Sequence, residues 1–156
     1  MTPPWIFLMA FSLVCYGTGA AFMESFVNCA SWHLIGADEC IAYHRFISRR
    51  VLAFLALPLL LATAFTILML WSRPAPIPAW AVRAALAAQA VTWVSTVTIQ
   101  LPIQFQLSEH GRSVELIDRL IVSNFWLRRI PYAICTGLFL WMAARVMGAS
   151  GGRRDA

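Results

Sequence analysis

The side chains of this sequence that are able to do chemistry are few, and they recur at helical intervals. Glu24 and Asn28 stand four residues apart, and Gly17 and Ala21 extend the same face. Thr92, Thr96, Gln100 and Gln104 are spaced by fours, with Gln89 above them. Asn124 and Arg128 make another such pair, and His44 with Ser48 a third. A carboxylate or a neutral imidazole can take a proton, while amides and a guanidinium can hold the oxygen that loses it. That chemistry requires a polar-floored pocket open to an amphipathic or aromatic molecule arriving from lipid. A second reading is purely structural: Glu24 pairs with Arg128, Arg49 or Arg50 and pins the helices together. The amides then bond across helices for roughly 0.6 kcal/mol apiece. A carboxylate within a membrane helix costs about 2.5–3.5 kcal/mol on insertion scales, so either way Glu24 needs a partner or a purpose.

Other chemistries find less support. Glu24, His33, His44 and His110 are metal-ligand types, but their spacings match no metal signature, and His110 beside Gly111 reads as a solvated loop residue. There is no Ser-His-Asp pattern, no glycine loop for phosphate and no CxxCH, and no histidine lies well inside an apolar run, which argues against haem. No cofactor is evident. Of four cysteines, Cys15 and Cys135 fall within apolar runs as small core residues. Cys29 and Cys40 lie near one boundary, where a disulfide would demand an oxidising compartment; free thiols are the expectation.

Positioning these groups falls to elements whose solvent is lipid. Of 156 residues 60% are hydrophobic and 12% charged, about half the usual charged share, which excludes an ordinary soluble domain. The length suits a single domain. The net charge of +5 comes entirely from arginines at the ends of apolar runs. There each gains roughly 1 kcal/mol from anionic headgroups, so the partner implied is the lipid bilayer and not nucleic acid. Crossing a hydrocarbon core takes about 20 helical residues. Four stretches qualify: Trp5 to Asn28, Val51 to Trp71, Ala79 to Gln104 and Ile130 to Met147. Trp5, Trp71, Trp80 and Trp126 mark their ends, as interfacial aromatics do. The first stretch lacks the basic flank of a secretory signal and is expected to stay as a membrane helix.

The expected fold is therefore an all-α membrane protein, a four-transmembrane-helix bundle over residues 1–147 with a polar tail over 148–156. Arg73 to Pro78 is a tight turn with three prolines. The connection from Asn28 to Arg50 is longer; Asp38 suits an N-cap there, and Glu39 to Arg50 predicts a short interfacial helix leading into the second span. Between Glu109 and Trp126 a stripe of Val114, Ile117, Leu120, Ile121 and Phe125 predicts an amphipathic segment lying on the membrane or leading into the fourth span. Pro102 should kink the third helix.

Chain direction then gathers the polar residues. The first and third helices end at the face carrying the long connections, and the second and fourth begin there. Glu24, Asn28, His44, Gln100, Gln104, Asn124 and Arg128 consequently fall within about two turns of one boundary. Arg45, Arg49, Arg50, Arg112, Arg119, Arg128 and Arg129 lie on this loop face, against Arg73, Arg83, Arg145, Arg153 and Arg154 on the terminal face. The bias orients the loop face toward the cytoplasm of a bacterial inner membrane.

The order of short motifs resembles a family of small four-helix membrane proteins of unknown function that includes the anthrone-oxygenase-like proteins. The matching pieces are Phe26-Val27-Asn28 followed by Trp32, then Ile41-Ala42-Tyr43-His44-Arg45 before the second span. Next are Trp93-Val94-Ser95-Thr96 running into Ile99-Gln100-Leu101-Pro102-Ile103-Gln104, and last Ser123-Asn124-Phe125-Trp126 with Arg128-Arg129. The resemblance implies oxidation of polycyclic anthrones to quinones without a recognised cofactor, with His44, Gln100, Gln104 and Asn124 holding and deprotonating a phenolic substrate. Where the family pattern has a histidine ahead of the third-helix proline, this chain has Gln100-Leu101, which removes one base.

Two functions follow as expectations. Small size, minimal loops and lipid-facing Trp, Phe and Leu suit an accessory subunit that docks with other membrane-protein subunits in a respiratory or photosynthetic complex. The polar cluster suits an oxidoreductase or binding protein for a quinone-like lipophilic small molecule. A transporter ranks third, because no helix pair is broken by Gly and Pro in the manner of transport sites.

Overall fold

Backbone N–H and C=O groups cannot go unpaired in hydrocarbon, so long apolar stretches resolve into helices. The computed structural model describes residues 4–151 and contains, among them, helices and no strand. The four long helices are α1 Pro4–Leu34, α2 Ala37–Ser72, α3 Ala79–His110 and α4 Val114–Ala149, the last continuing in helical form to Gly151. All are long and apolar enough to cross a membrane. The protein is an all-α four-helix bundle of the integral membrane type. At 36 residues, α2 spans roughly 54 Å against a hydrocarbon core of about 30 Å, so the helices run on past the bilayer.

The helix expected over Glu39 to Arg50 does run into the second span, and it begins two residues earlier, at Ala37. The rest of the connection from Asn28 is helical too, apart from a break at Ile35 and Gly36. Glycine is required at only one turn, Gly111, whose φ of 83° lies in the left-handed region. Beyond it Ser113 caps α4 by accepting the Leu116 N–H, and the amphipathic segment flows directly into the fourth span. Asp38 is not an N-cap. Gly36 holds that position, and Asp38 sits in the first turn, where its charge faces the positive helix end. Of the expected polar tail, Gly148 to Gly151 belong to the last helix, and residues 152–156, with Arg153 and Arg154, lie outside the described residues.

Neighbouring helices pack as a closed ring in the terminal half: α1 on α2, α2 on α3, α3 on α4, and α4 back on α1. Ala10, Ala62, Ala81 and Ala85 let the backbones approach, and Phe139, Met69 and Met142 fill the centre. Gly17 does what its small-residue face predicts, since a Cβ there would run into the Leu59 side chain of α2. Thr18 and Thr136 share a 2.7 Å hydrogen bond between α1 and α4.

Further toward the loop face each helix carries one widened π turn: Glu24–Asn28, Leu52–Ala56, Thr96–Gln100 and Phe125–Arg129. Three of them end two residues before Pro58, Pro102 and Pro131. Proline has no N–H and its ring presses on the carbonyl four residues back, which widens the preceding turn. At Pro58 that carbonyl belongs to Phe54, and the Tyr16 hydroxyl of α1 donates to it at 2.8 Å. Below these turns a second core of Cys29, Trp32, Ile103, Leu107, Ile117 and Leu120 closes the loop-face end. There Arg112 donates to the His33 carbonyl, and His33 faces Asp118 at 3.1 Å.

Candidate functional site

Between the two cores the widened turns leave a cavity of about 530 Å³, a size typical of small-molecule sites. Its exposed surface is mainly apolar, although Thr, Ser, Gln, Glu and Arg side chains contribute alongside the aliphatic ones, with Trp93, Phe105 and Tyr132 as the aromatic members. Leu52, Leu101 and Phe105, all exposed to the lipid side, line it where α2 and α3 part, with Arg45 and Arg49 at the rim.

The polar groups of this cavity are tightly oriented. Thr66 gives its hydroxyl hydrogen to the Ala62 carbonyl at 2.7 Å, so it must accept the bond that Gln89 Nε2 donates at 3.1 Å. Ser123 likewise donates to the Leu120 carbonyl and accepts from Gln100 Nε2 at 3.2 Å. Both amide orientations are thereby set by chemistry. The amide oxygens of Gln89 and Gln100 are then buried acceptors without a protein partner. Two potential donors, Arg128 Nε and the Tyr132 hydroxyl, make no hydrogen bond of good geometry, although the Arg128 and Tyr132 side chains neighbour each other. All four atoms belong to residues lining the cavity.

Beside the cavity lies a directed network. Arg128 Nη1 donates to Asn124 Oδ1 at 3.4 Å, Asn124 Nδ2 to Cys29 Sγ at 3.6 Å, and the Cys29 thiol to Glu24 Oε1 at 3.8 Å. From the other side the Tyr43 hydroxyl and Trp32 Nε1 donate to Asn28 Oδ1, and Asn28 Nδ2 donates to Glu24 Oε2 at 2.7 Å. Because an indole N–H can only donate, Asn28 must turn its oxygen to Trp32 and its nitrogen to Glu24. Every bond in the network points toward the Glu24 carboxyl.

This corrects the expected salt bridge. Among the described residues Glu24 makes no direct ion pair with Arg128, Arg49 or Arg50; its link to Arg128 passes through Asn124 and Cys29. Arg50 donates to the Phe46 carbonyl and lies over the Phe46 ring. Arg129 donates to Ser25 Oγ at 2.6 Å and to the Ser25 carbonyl at 3.0 Å. Cys29 and Cys40 are both buried free thiols.

The seven candidate residues divide. Glu24, Gln100, Gln104 and Arg128 line the cavity. Asn28 lines a smaller outer groove between α1 and α2, and Asn124 is a buried bridge. His44 touches neither space. It is wholly buried, edge-on to Trp32 at 4.4 Å between ring centroids, with both ring nitrogens unbonded and Gln104 as its polar neighbour toward the cavity. Tyr132 was missed, although it extends the Asn124–Arg128 spacing by another four residues. Gln89 continues the third-helix face upward, but its sequence does not reveal that its oxygen is left free. Trp93, whose indole donates to Thr63 at 3.0 Å, appeared as part of a motif and not as a wall. No family model, curated protein or solved structure matches this chain.

Proposed function

We propose that this protein binds a flat, oxygen-bearing lipophilic molecule of the quinone or phenol class, which enters its cavity from the bilayer between α2 and α3. The supporting observation is that four buried polar atoms lacking partners belong to residues around one largely apolar space. An unsatisfied buried polar group costs about 1–3 kcal/mol, and a guanidinium more, so a ligand that supplies hydrogen bonds to several of them gains affinity directly. Gln89 and Gln100 accept from hydroxyls, whereas Arg128 donates to a carbonyl or phenolate. A purely aliphatic lipid tail offers neither. The resemblance to the anthrone-oxygenase-like proteins favours the same class of ligand and adds oxidation as the reaction.

We prefer this role to that of an accessory subunit, because docking at the outer surface of the helices leaves the orphaned atoms in the cavity unaddressed, whereas a small molecule inside it reaches them. The arginine bias orients the loop face to the cytoplasm of a bacterial inner membrane, which reporter fusions to the two ends of the chain would check.

Equilibrium dialysis of a naphthol, whose hydroxyl can donate to a free amide oxygen, against the protein in nanodiscs, with empty nanodiscs as the control, tests the proposal. Saturable, stoichiometric binding that weakens about tenfold in Gln100→Leu is expected, one lost hydrogen bond to a buried group being worth about 1.4 kcal/mol. Uptake no greater than into empty nanodiscs would refute it.

A further inference from the structure

Two spaces meet at a single ionisable side chain. The main cavity and the outer groove between α1 and α2 share four lining residues: Glu24, Ile47, Val51 and Leu55. Three of these are aliphatic, so Glu24 is the one polar group in the partition. On the inner side its carboxyl faces the space that Arg128 and Tyr132 also line. On the outer side it faces a groove running past Tyr16, Ala20 and Val27 to Arg50, which is exposed.

We infer that Glu24 is the proton acceptor for a hydroxyl-bearing ligand in the cavity and that it passes the proton out through the groove between α1 and α2. The inference rests on the ligand class proposed above and assigns that site a direction of proton flow. In the step, the ligand O–H bond breaks and an O–H bond forms on a Glu24 oxygen, leaving the ligand as an oxyanion. The proton then leaves Glu24 for water in the groove. No electron changes hands.

The surrounding charges suit both halves of this step. Arg45 and Arg49 on α2 and Arg128 on α4 line the cavity, and the unbonded Arg128 Nε and Tyr132 hydroxyl are available to a new oxyanion. Arg50 faces the groove, and Arg129 holds Ser25 beside Glu24. Tyr43 and Cys29 reach Glu24 only as links in its hydrogen-bond network. Glu24 is the one acid lining either space, so nothing anionic competes for the proton or repels the oxyanion. Asn28 holds one carboxyl oxygen at 2.7 Å, and the other has only the long 3.8 Å contact from the Cys29 thiol, which a ligand hydroxyl can displace.

Naphthol is a suitable probe, because its neutral and anionic ground states absorb at different wavelengths, and its methyl ether has no proton to give. With the complete protein in nanodiscs in weakly buffered solution, bound naphthol should absorb as the anion, and a pH dye should register proton release with binding. Glu24→Gln keeps the acceptor for Asn28. It should bind the methyl ether within about threefold of wild type while bound naphthol stays neutral and proton release slows roughly a hundredfold. Ala20→Phe, which fills the groove, should leave binding intact and slow release alone. Anionic absorption and unchanged release in Glu24→Gln would overturn the inference while leaving the ligand site standing. Failure of the wild type to bind either probe would instead remove the site itself.

Discussion

In the terminal half of the bundle Ala10, Ala81 and Ala85 bring the helices together until Phe139 and Met69 are wholly covered. Further along the same four helices, π turns widen the backbone, amide oxygens stand unbonded and a cavity separates the walls. The closed core holds only apolar side chains, whereas the open half mixes them with Glu24, Gln100, Gln104 and Arg128. Backbone and small residues differ as well. Alanine and glycine at the contacts permit close approach, whereas a proline two residues beyond each of three π turns holds the helices wide. Stability belongs to the half that closes, and the binding we propose to the half that is prevented from closing.

Substitutions can break or sharpen this contrast. The largest effect is expected in the closed half, where Phe139→Ala should destabilise by about 3–5 kcal/mol through the cavity it opens, read by denaturant unfolding in detergent. A shift below about 1 kcal/mol would mean that the terminal core is not well packed. Gly17→Val forces the Leu59 side chain aside and should cost about 1–3 kcal/mol in the same assay. Thr18→Val removes one hydrogen bond to Thr136, and a loss of only about 0.6 kcal/mol is expected. The smallest effect should come from the open half. Gln89→Leu removes an acceptor with no partner together with the bond its amide nitrogen donates to Thr66; the two effects oppose each other, so stability should change by no more than about 0.5 kcal/mol while naphthol binding weakens. A severe loss of stability in Gln89→Leu, without loss of binding, would make the polar residues of this half structural and erase the distinction.

Much of the bundle was legible in the chain. The apolar runs and their interfacial tryptophans mark four helices, and alternating direction alone assembles Glu24, Gln100 and Arg128 at one level. The boundaries were less legible. Asn28 to Arg50 reads as a connection because hydropathy falls there, yet a helix leaving the membrane can satisfy its backbone in water as well as in lipid. Asp38 has the side chain of a cap, but Gly36 occupies the position because the chain turns two residues earlier than the side chain alone suggests.

Within the site, the sequence by itself determined which helix face each polar residue occupies, because a period of 3.6 residues is a local property of the backbone. It also determined that lipid, not water, surrounds those helices. Only the tertiary structure decided which of the residues meet a shared space. His44 and Gln104 share the loop-face level, yet one is sealed behind Trp32 and the other lines the cavity. Glu24 was expected to find an arginine and instead accepts from Asn28 and Cys29. Such choices depend on how far neighbouring helices stand apart and how they are rotated, and those quantities are settled by packing between segments distant in the chain.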